Sequence, residues 1–288
     1  MSDWSRCLAG PPLHERRHSV SPGSSDRRHQ DGDPLIGEAD LPDRVELVWH
    51  GVNDRANLRH FLASPVRWGE CDVRRDPQGR LALRHDPFGD AVASPPGGRH
   101  AGPLLADEFL RAALGAGKGV KLDIKEPDIA DELLELVGYS GAVTHDLWFN
   151  GRVDVLGRGA FRRLRRACPT ATVQCPIDAL APVIVASPDR ARVELDKLAA
   201  CGIDRFSLAW GTGPTALLLD HLDRWGHDVN LYAVEDLDEF LRAVMLMPRS
   251  VTADFNFPEW HYFGRGAGRG GRYHRYHLDP APSAADVA

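Results

Sequence analysis

Six polar residues in the first half of the sequence have side chains that could hold a metal ion and transfer protons. They are His50, Glu70, Asp72, His85, Asp123 and Lys125. The three acids form a carboxylate set suited to a hard divalent cation, Mg²⁺ or Ca²⁺, because such ions prefer oxygen ligands. Two histidines on opposite sides of a phosphorus centre could act as general base and general acid.

Two lysines lie on the same short apolar run as Asp123. Lys121, Asp123 and Lys125 alternate along GVKLDIK and therefore share one face of a strand. Lys125, next to the acids, could neutralise phosphate charge or hold a carboxylate in place. Lys121 lies deeper, so it could contact phosphate or pair with a carboxylate in the protein interior. Charged groups in a buried strand are costly unless they are paired or coordinated.

Further candidates lie near the ends of later strands. Asn150 could line the site or could satisfy backbone groups at the start of a loop. Trp260 is a candidate substrate-binding residue, and Trp210, Asp254 and Asn256 could form substrate walls with it. Packing is the alternative role of both tryptophans.

The elements that must position these residues alternate between strand-like and helix-like runs. The strand candidates are residues 44–52, 68–74, 119–125, 142–150, 171–177, 204–211, 228–234 and 250–257. The helix patterns are residues 104–117, 128–138, 160–169, 188–202, 215–226 and 236–247. This alternation is typical of a parallel sheet, and eight strands favour a single (β/α)8 TIM barrel. A doubly wound sheet is the alternative, but no glycine-rich phosphate loop follows the first strand.

The polar residues fall where a barrel would gather them. Side chains at the carboxyl ends of barrel strands converge on one open face. The first three predicted strands carry these residues near their ends: His50 on the first, Glu70 and Asp72 on the second, and Asp123 on the third. Residues 76–87 interrupt the pattern, because they predict a turn and a short extra strand that carries His85 back over the barrel.

These motifs resemble those of a known superfamily. The order W-H-G-x-N, G-E-x-D-V, H-D-P and K-L-D-I-K is similar to that of the phospholipase-C-like phosphodiesterase barrels. The superfamily includes glycerophosphodiester phosphodiesterases and spider-venom type phospholipases D. Within it, the chain most resembles the menorin family, whose members share a W-x-H-x-x-N start and a G-I-K-L-D-F-K-like third strand. The resemblance is sharp over residues 47–126, weaker through 147–151 and faint beyond.

The resemblance implies a role for each matching residue. His50 and His85 match the catalytic histidines, whereas Glu70, Asp72 and Asp123 match the metal-binding carboxylates. Lys125 matches the lysine that follows the third-strand acid by two positions. An Asn occurs near the position of Asn150 in menorin-like sequences.

The chain departs from the glycerophosphodiesterase pattern at several positions. Those enzymes usually carry Glu in place of Asp123, and Arg and Glu-Asn after the first histidine, where this chain has Gly51 and Val52-Asn53. Their insertion after His-Asp is shortened here to about residues 88–103. These departures leave the alcohol group of the substrate unspecified.

The sequence therefore predicts a metal-dependent phosphodiesterase acting on a small-molecule or lipid-derived diester. Cleavage would proceed by hydrolysis or by attack of a substrate hydroxyl, which gives a cyclic phosphate. A non-catalytic protein that binds a phosphorylated ligand in the metal pocket is the rival from another class. A zinc hydrolase is disfavoured because its site needs clustered histidines, and the first strand offers one.

Composition bounds the remaining properties. The net charge of −6 gives no reason to expect a nucleic-acid partner, and the five scattered cysteines predict neither a disulfide framework nor a structural zinc site. The sequence contains no signal-like or membrane-spanning apolar run, so we expect a soluble cytoplasmic protein. We expect a disordered arm at 1–40, a barrel domain at 41–263 and a flexible Gly/Arg-rich tail at 264–288. The sequence predicts no oligomeric state.

Overall fold

The computed structural model describes residues 41–88, 102–234 and 237–253. The strands are β1 (Glu46–Trp49), β2 (Trp68–Arg75), β3 (Leu81–Leu83), β4 (Gly119–Ile124), β5 (Leu147–Gly151), β6 (Thr172–Pro176), β7 (Arg205–Ala209), β8 (Asp228–Val234) and β9 (Ser250–Ala253). The helices of these ranges are α1 (Arg55–Ala63), α2 (Ala106–Gly115), α3 (Ala130–Tyr139), α4 (Val153–Ala167), α5 (Ala181–Ala186), α6 (Pro188–Ala199), α7 (Thr215–Arg224) and α8 (Leu237–Met245). The predicted arm and tail, and the candidates Asp254, Asn256 and Trp260, lie outside the described residues.

Eight parallel strands close into a barrel surrounded by helices. Each parallel strand pairs with the next parallel strand along the chain, and β1 pairs with both β2 and β9, which closes the sheet. Most buried apolar residues of the strands and helices pack into one core. The predicted TIM barrel is therefore confirmed, and the closure excludes a doubly wound open sheet. Among the described residues, no helix combines the length and apolarity needed to span a membrane.

All eight predicted parallel strands form: β8 has the predicted bounds, β2 extends one residue further, to Arg75, and β5 ends one residue later, at Gly151. The other strands are shorter than predicted, and residues 254–257 of the last prediction lie outside the described residues. The prediction for 142–150 was wrong in its first half, because Thr144–Asp146 form a 3-10 helix and β5 begins at Leu147. The polar Thr-His-Asp run has little apolar surface to bury in a sheet, whereas Leu147 to Phe149 are buried. Helices α1 and α5 fall outside the helix patterns predicted from the sequence.

The extra strand predicted in 76–87 is present. β3 pairs antiparallel with β2, and Val73 lies opposite Leu83. The backbone N–H of Arg84 donates to the carbonyl of Asp72 at 2.8 Å. This hairpin returns the chain to the carboxyl end of β2, where His85 follows.

Three apolar side chains fill the barrel beneath the polar residues. Val48, Trp68 and Trp148 form a separate buried cluster. The two indole rings meet edge to face, with 5.6 Å between their centroids. Trp68 precedes Glu70 by two residues on the same face of β2, so this cluster supports the carboxylates from below.

Gly119 is required for this packing. A Cβ atom at Gly119 would lie 2.5 Å from the Trp68 ring, which also contacts Trp148 edge to face. We expect Gly119→Ala to lower the free energy of unfolding by about 1–3 kcal/mol, the usual effect of overpacking. Urea unfolding measures this change. Gly138→Ala is the matched control: it meets nothing within 4 Å in α3, and should stabilise the protein by roughly 0.5–1 kcal/mol. Equal effects at both positions would contradict the prediction.

Candidate active site at the carboxyl ends of the barrel strands

Three carboxylates converge on neighbouring strands at the carboxyl end of the barrel. Asp72 of β2 lies directly beside Asp123 of β4, and Glu70 stands two residues before Asp72 on the same face. Each of the three residues offers an oxygen within 4.8 Å of the others. Glu70 and Asp72 are buried, and Asp123 is half-buried. The structure thus brings together the three acids that the sequence singled out as metal ligands.

The donor set fits a hard divalent cation. Ligand oxygens at about 2.0–2.6 Å from one ion are separated by at most about 5 Å, so the spacing of this cluster permits one shared cation. Burial and the neighbouring Asp72 raise the pKa of Glu70 above its usual value. A cation at this position would relieve that crowding of negative charge.

Lys125 is bound to the carboxylates. Its Nζ lies 2.7 Å from Oδ1 of Asp72 and also forms an ion pair with Asp123. Burial would lower the pKa of Lys125, but the two aspartates hold it well above its usual range. Burial likewise opposes ionisation of Asp72, whose pKa is nevertheless lowered, first by Lys125 and then by the two candidate histidines. Of the two roles predicted for Lys125, these contacts favour holding the carboxylates in place.

The turn after β1 supplies donors to the same acids. Gly51 has φ 71°, in the left-handed region that favours glycine, and its N–H donates to Oε2 of Glu70 at 2.9 Å. Two hydrogen bonds join Asn53 to Asp72: Nδ2 of Asn53 donates to Oδ2 of Asp72 at 2.6 Å, and Oδ1 of Asn53 accepts from the Asp72 backbone N–H at 2.8 Å. Gly51 and Asn53 belong to the W-H-G-x-N motif of the sequence, but the sequence analysis assigned neither residue a role and missed this support.

The two histidines lie next to the carboxylate cluster. Nε2 of His50 is 3.8 Å from Oε2 of Glu70. Nδ1 of His85 lies 2.8 Å from Oδ1 of Asp86, a contact that orients the ring. Both histidines lower the pKa of Asp72, and His85 directly follows Arg84, whose backbone N–H donates to the Asp72 carbonyl at 2.8 Å. The arrangement places two proton-transfer groups beside one acidic centre.

Lys121 lies in the barrel interior, away from the open face. Its Nζ donates to Oγ1 of Thr252 at 3.0 Å. Lys121 lies beside Glu70 in the sheet, and the charge of Glu70 raises the pKa of the lysine against the effect of burial. It also sits over the Trp148 ring, 4.9 Å from the centroid. Burial lowers the pKa of Lys121 to about 8. These contacts favour a structural role within the barrel over contact with a phosphate.

The remaining sequence candidates have different outcomes. Asn150 lies beside Asp123 in the sheet, and its Oδ1 accepts from Nε2 of Gln174 at 2.9 Å, so it borders the acidic cluster. Trp210 packs against the apolar core. Trp260 falls outside the described residues.

Tyr232 on β8 and its hydrogen-bond partner Asp178 were not identified by the sequence analysis. The hydroxyl of Tyr232 donates to Oδ2 of Asp178 at 2.7 Å, and the N–H of Ala209 donates to Oδ1 at 2.7 Å. Burial and Asp178 raise the pKa of Tyr232 well above its usual range. β8 is irregular here, and Ala233 has φ 57°. Asp178 closely follows β6, so the reasoning that found Asp123 could have found it.

The barrel and its site can be compared with known proteins. No family model matches the sequence, and no curated protein matches it. Solved structures do match the fold, although fewer than one residue in five is identical between them and this chain. At that level of identity the similarity establishes the fold.

The structural neighbours include glycerophosphodiester phosphodiesterases. One is a phosphodiesterase from Oleispira antarctica in complex with the product sn-glycerol-3-phosphate, with a TM-score of 0.58 and 14% identity over 76% of this chain and 95% of that one. Another is a glycerophosphodiester phosphodiesterase from Agrobacterium tumefaciens, with a TM-score of 0.53 and 17% identity over 74% and 97%. A third, from Parabacteroides distasonis, gives a TM-score of 0.52 and 12% identity over 75% and 85%.

Proposed function

We propose that this protein is a metal-dependent phosphodiesterase of the phospholipase-C-like superfamily, with motifs closest to those of the menorin family. One observation carries the proposal: three buried or half-buried carboxylates each offer an oxygen within 4.8 Å of the others, His50 lies 3.8 Å from Glu70, and His85 follows the residue that binds the Asp72 carbonyl. The shared fold with glycerophosphodiester phosphodiesterases supports it.

Glu70, Asp72 and Asp123 would hold the divalent cation, Mg²⁺ or Ca²⁺. A bound cation supplies Lewis-acid polarisation of a phosphoryl oxygen and neutralises charge that develops there. Lys125 holds Asp72 and Asp123 in place through ion pairs and lowers the pKa of Asp72, and Asn53 fixes the orientation of Asp72. The turn at Gly51 holds Glu70 and sets the position of His50 beside it.

The two histidines move the protons. One removes a proton from the attacking hydroxyl, whose oxygen forms the new bond to phosphorus. The other gives a proton to the departing alkoxide as its bond to phosphorus breaks. Asp86, at Nδ1 of His85, would select the tautomer whose Nε2 exchanges the proton.

The substrate class follows from the chemistry of the site. A phosphodiester offers oxygens to the cation and an alkoxide for the acid to protonate, and it is small-molecule or lipid-derived in this proposal. The Oleispira antarctica neighbour holds sn-glycerol-3-phosphate. Asp123, Gly51 and Val52 differ from the glycerophosphodiesterase pattern, so the proposal includes diesters with other alcohols.

A diester panel assayed with and without metal tests the function. The panel should include glycerophosphodiesters, lysophospholipids and sphingomyelin, each with added Mg²⁺ or Ca²⁺ and with excess chelator. We expect turnover of at least one diester that chelator abolishes and either cation restores. Phosphorus NMR then distinguishes a monoester product from a cyclic phosphate. Binding of a phosphorylated compound without any turnover across the panel would refute catalysis and favour the ligand-binding rival.

Glu70→Gln separates the function of the cluster from its stability. Because burial and Asp72 raise the pKa of Glu70 in the folded protein, its ionised form is less stable there than in the unfolded chain. That penalty is absent below the unfolded pKa and grows as the pH rises through it, so it operates at neutral pH. We therefore expect Glu70→Gln to raise the Tm in chelator at pH 7, while abolishing the metal-dependent turnover.

Thermal melts in chelator at pH 7 measure this effect. Glu194→Gln is a matched control, since Glu194 is exposed on α6 and pairs with Lys197. If Glu70→Gln had a lower Tm than wild type in chelator, the inference that the ionised form of Glu70 destabilises the metal-free protein would be wrong.

A further inference from the structure

Arg74 connects the segment that carries His85 to the segment that follows β4. It lies on β2 two residues after Asp72. Its Nε donates to the backbone carbonyl of His85 at 2.9 Å, and its Nη1 lies 3.3 Å from Oε1 of Glu126. Only 14% of the Arg74 side chain is exposed, so this is a largely buried contact.

Glu126 is itself fixed at this junction. It directly follows Lys125, which binds Asp72 and Asp123. Oε2 of Glu126 accepts the backbone N–H of Arg75 at 3.2 Å, while Oε1 faces Arg74. A guanidinium is planar, with its donors in a fixed fork. The position of the His85 carbonyl is therefore coupled to that of the loop after β4.

His85 depends on side chains for its placement. β3 ends at Leu83, and the N–H of Arg84 makes a backbone hydrogen bond to Asp72. His85 lies beyond that bond and outside regular secondary structure. Asp86 orients the ring at Nδ1, whereas Arg74 binds the backbone carbonyl. The two contacts constrain different degrees of freedom of the same residue.

We propose that Arg74, held by Glu126, is a positioning residue that sets the location of His85 relative to the carboxylate cluster. Arg74 acts through His85 and does not itself touch the reacting atoms. The kinetic consequence rests on the proposed phosphodiesterase function, while the placement of His85 can be tested without it. When a catalytic histidine is displaced by about 1 Å from the atom with which it exchanges a proton, the reaction slows by roughly 100-fold.

Arg74→Met tests the kinetic consequence. We expect kcat to fall by about 10- to 100-fold while KM stays within about twofold, because substrate and cation bind at groups that the substitution leaves in place. Arg75→Met is the matched control, since Arg75 is the adjacent residue of β2 and pairs with Glu132 at 2.6 Å instead. It should keep kcat within about twofold of wild type.

Arg74→Lys tests whether the loss of kcat in Arg74→Met reflects unfolding alone. The lysine keeps the charge but cannot bind the carbonyl and Glu126 as a fork, so we expect an intermediate kcat. A fall in Tm equal for Arg74→Met and Arg75→Met, with unequal kcat, supports positioning. Equal kcat in these two variants would overturn the kinetic half of the proposal.

The imidazole resonances of His85 test placement independently of turnover. In protein labelled with ¹⁵N-histidine, the His85 signals are assigned by their loss in His85→Asn. We expect Arg74→Met to shift them and Arg75→Met to leave them at wild-type positions. Unchanged His85 signals in Arg74→Met would overturn the inference. Absence of turnover in wild type would instead refute the proposed function, and the resonance shift would still decide the role of Arg74.

Discussion

Alanine at His50 is expected to lower kcat for diester cleavage by about 100- to 10,000-fold, the usual contribution of a general acid or base. Nε2 of His50 lies 3.8 Å from Glu70 at the edge of the carboxylate cluster. The substitution removes a proton-transfer group while Gly51 still binds Glu70 through its backbone N–H. Cation binding should therefore be retained, and steady-state kinetics on the best diester of the panel measure the loss.

His85→Ala provides the second half of this experiment. If the two histidines are base and acid of one reaction, each single variant should lose a similar factor. The double variant should lose much less than the product of the two, because residues that act as a unit are non-additive. A substrate with a good leaving group, such as a nitrophenyl diester, needs little protonation of its alkoxide. It should restore turnover in the variant that lacks the acid and not in the one that lacks the base.

His145→Ala is the control for both variants, because His145 is 62% exposed and pairs with Asp146 away from the cluster. It should retain wild-type kcat. Unchanged turnover in His50→Ala would refute two-histidine catalysis, whatever the effect of His85→Ala.

The residues that the sequence located share a simple geometric rule. Alternation along a strand places Glu70 with Asp72 and Asp123 with Lys125 on common faces, and parallel strands bring those faces to one end of a barrel. The eight strands were predicted from a different pattern, in which strand-like runs alternate with helix-like runs along the chain. The barrel and the gathering of the acids were therefore predictable without coordinates.

The support of the acids was not predictable in this way. The bonds from Asn53 to Asp72 depend on a left-handed turn at Gly51, which the sequence permits but does not require. Lys121 contacts Thr252, a residue 131 positions away across the closed barrel. Its partner depends on how the last strand meets the first, which alternation within one strand does not specify.

The side-chain contacts of the segment after β3 could not be predicted from the sequence either. The extra strand could be predicted, and so could the return of His85 to the mouth. The contact of Arg74 with the His85 carbonyl depends on the rotamer of a charged residue that most sequence patterns would assign to solvent.

Loss of one carboxylate should abolish stabilisation of the fold by a divalent cation. A ligand that binds only the folded state at 100 times its Kd adds about 2.7 kcal/mol to the free energy of unfolding. We expect this stabilisation in wild type with Mg²⁺ or Ca²⁺. Asp123→Asn should weaken cation affinity by about 100-fold or more, since even residues that only support metal ligands contribute 10- to 100-fold.

Asp123 is a better position for this test than Asp72. After Asp123→Asn, Lys125 keeps its ion pair with Asp72 at 2.7 Å, so the variant should fold in chelator. Asp72→Asn instead replaces a buried carboxylate that both Lys125 and Asn53 contact. Breaking such a buried pair destabilises by about 3–5 kcal/mol, which would obscure the effect of the cation.

Thermal melts with and without cation, together with calorimetric titration, measure the difference. Asp131→Asn is the matched control, because Asp131 is exposed on α3 and pairs with Arg163. Its cation response should equal that of wild type. A cation response in Asp123→Asn as large as in wild type would place the ion elsewhere. If Asp123→Asn still cleaved the diester in the presence of chelator, catalysis would not need a metal at this cluster. The carboxylates would then have a structural role, as partners of Lys125 within the barrel.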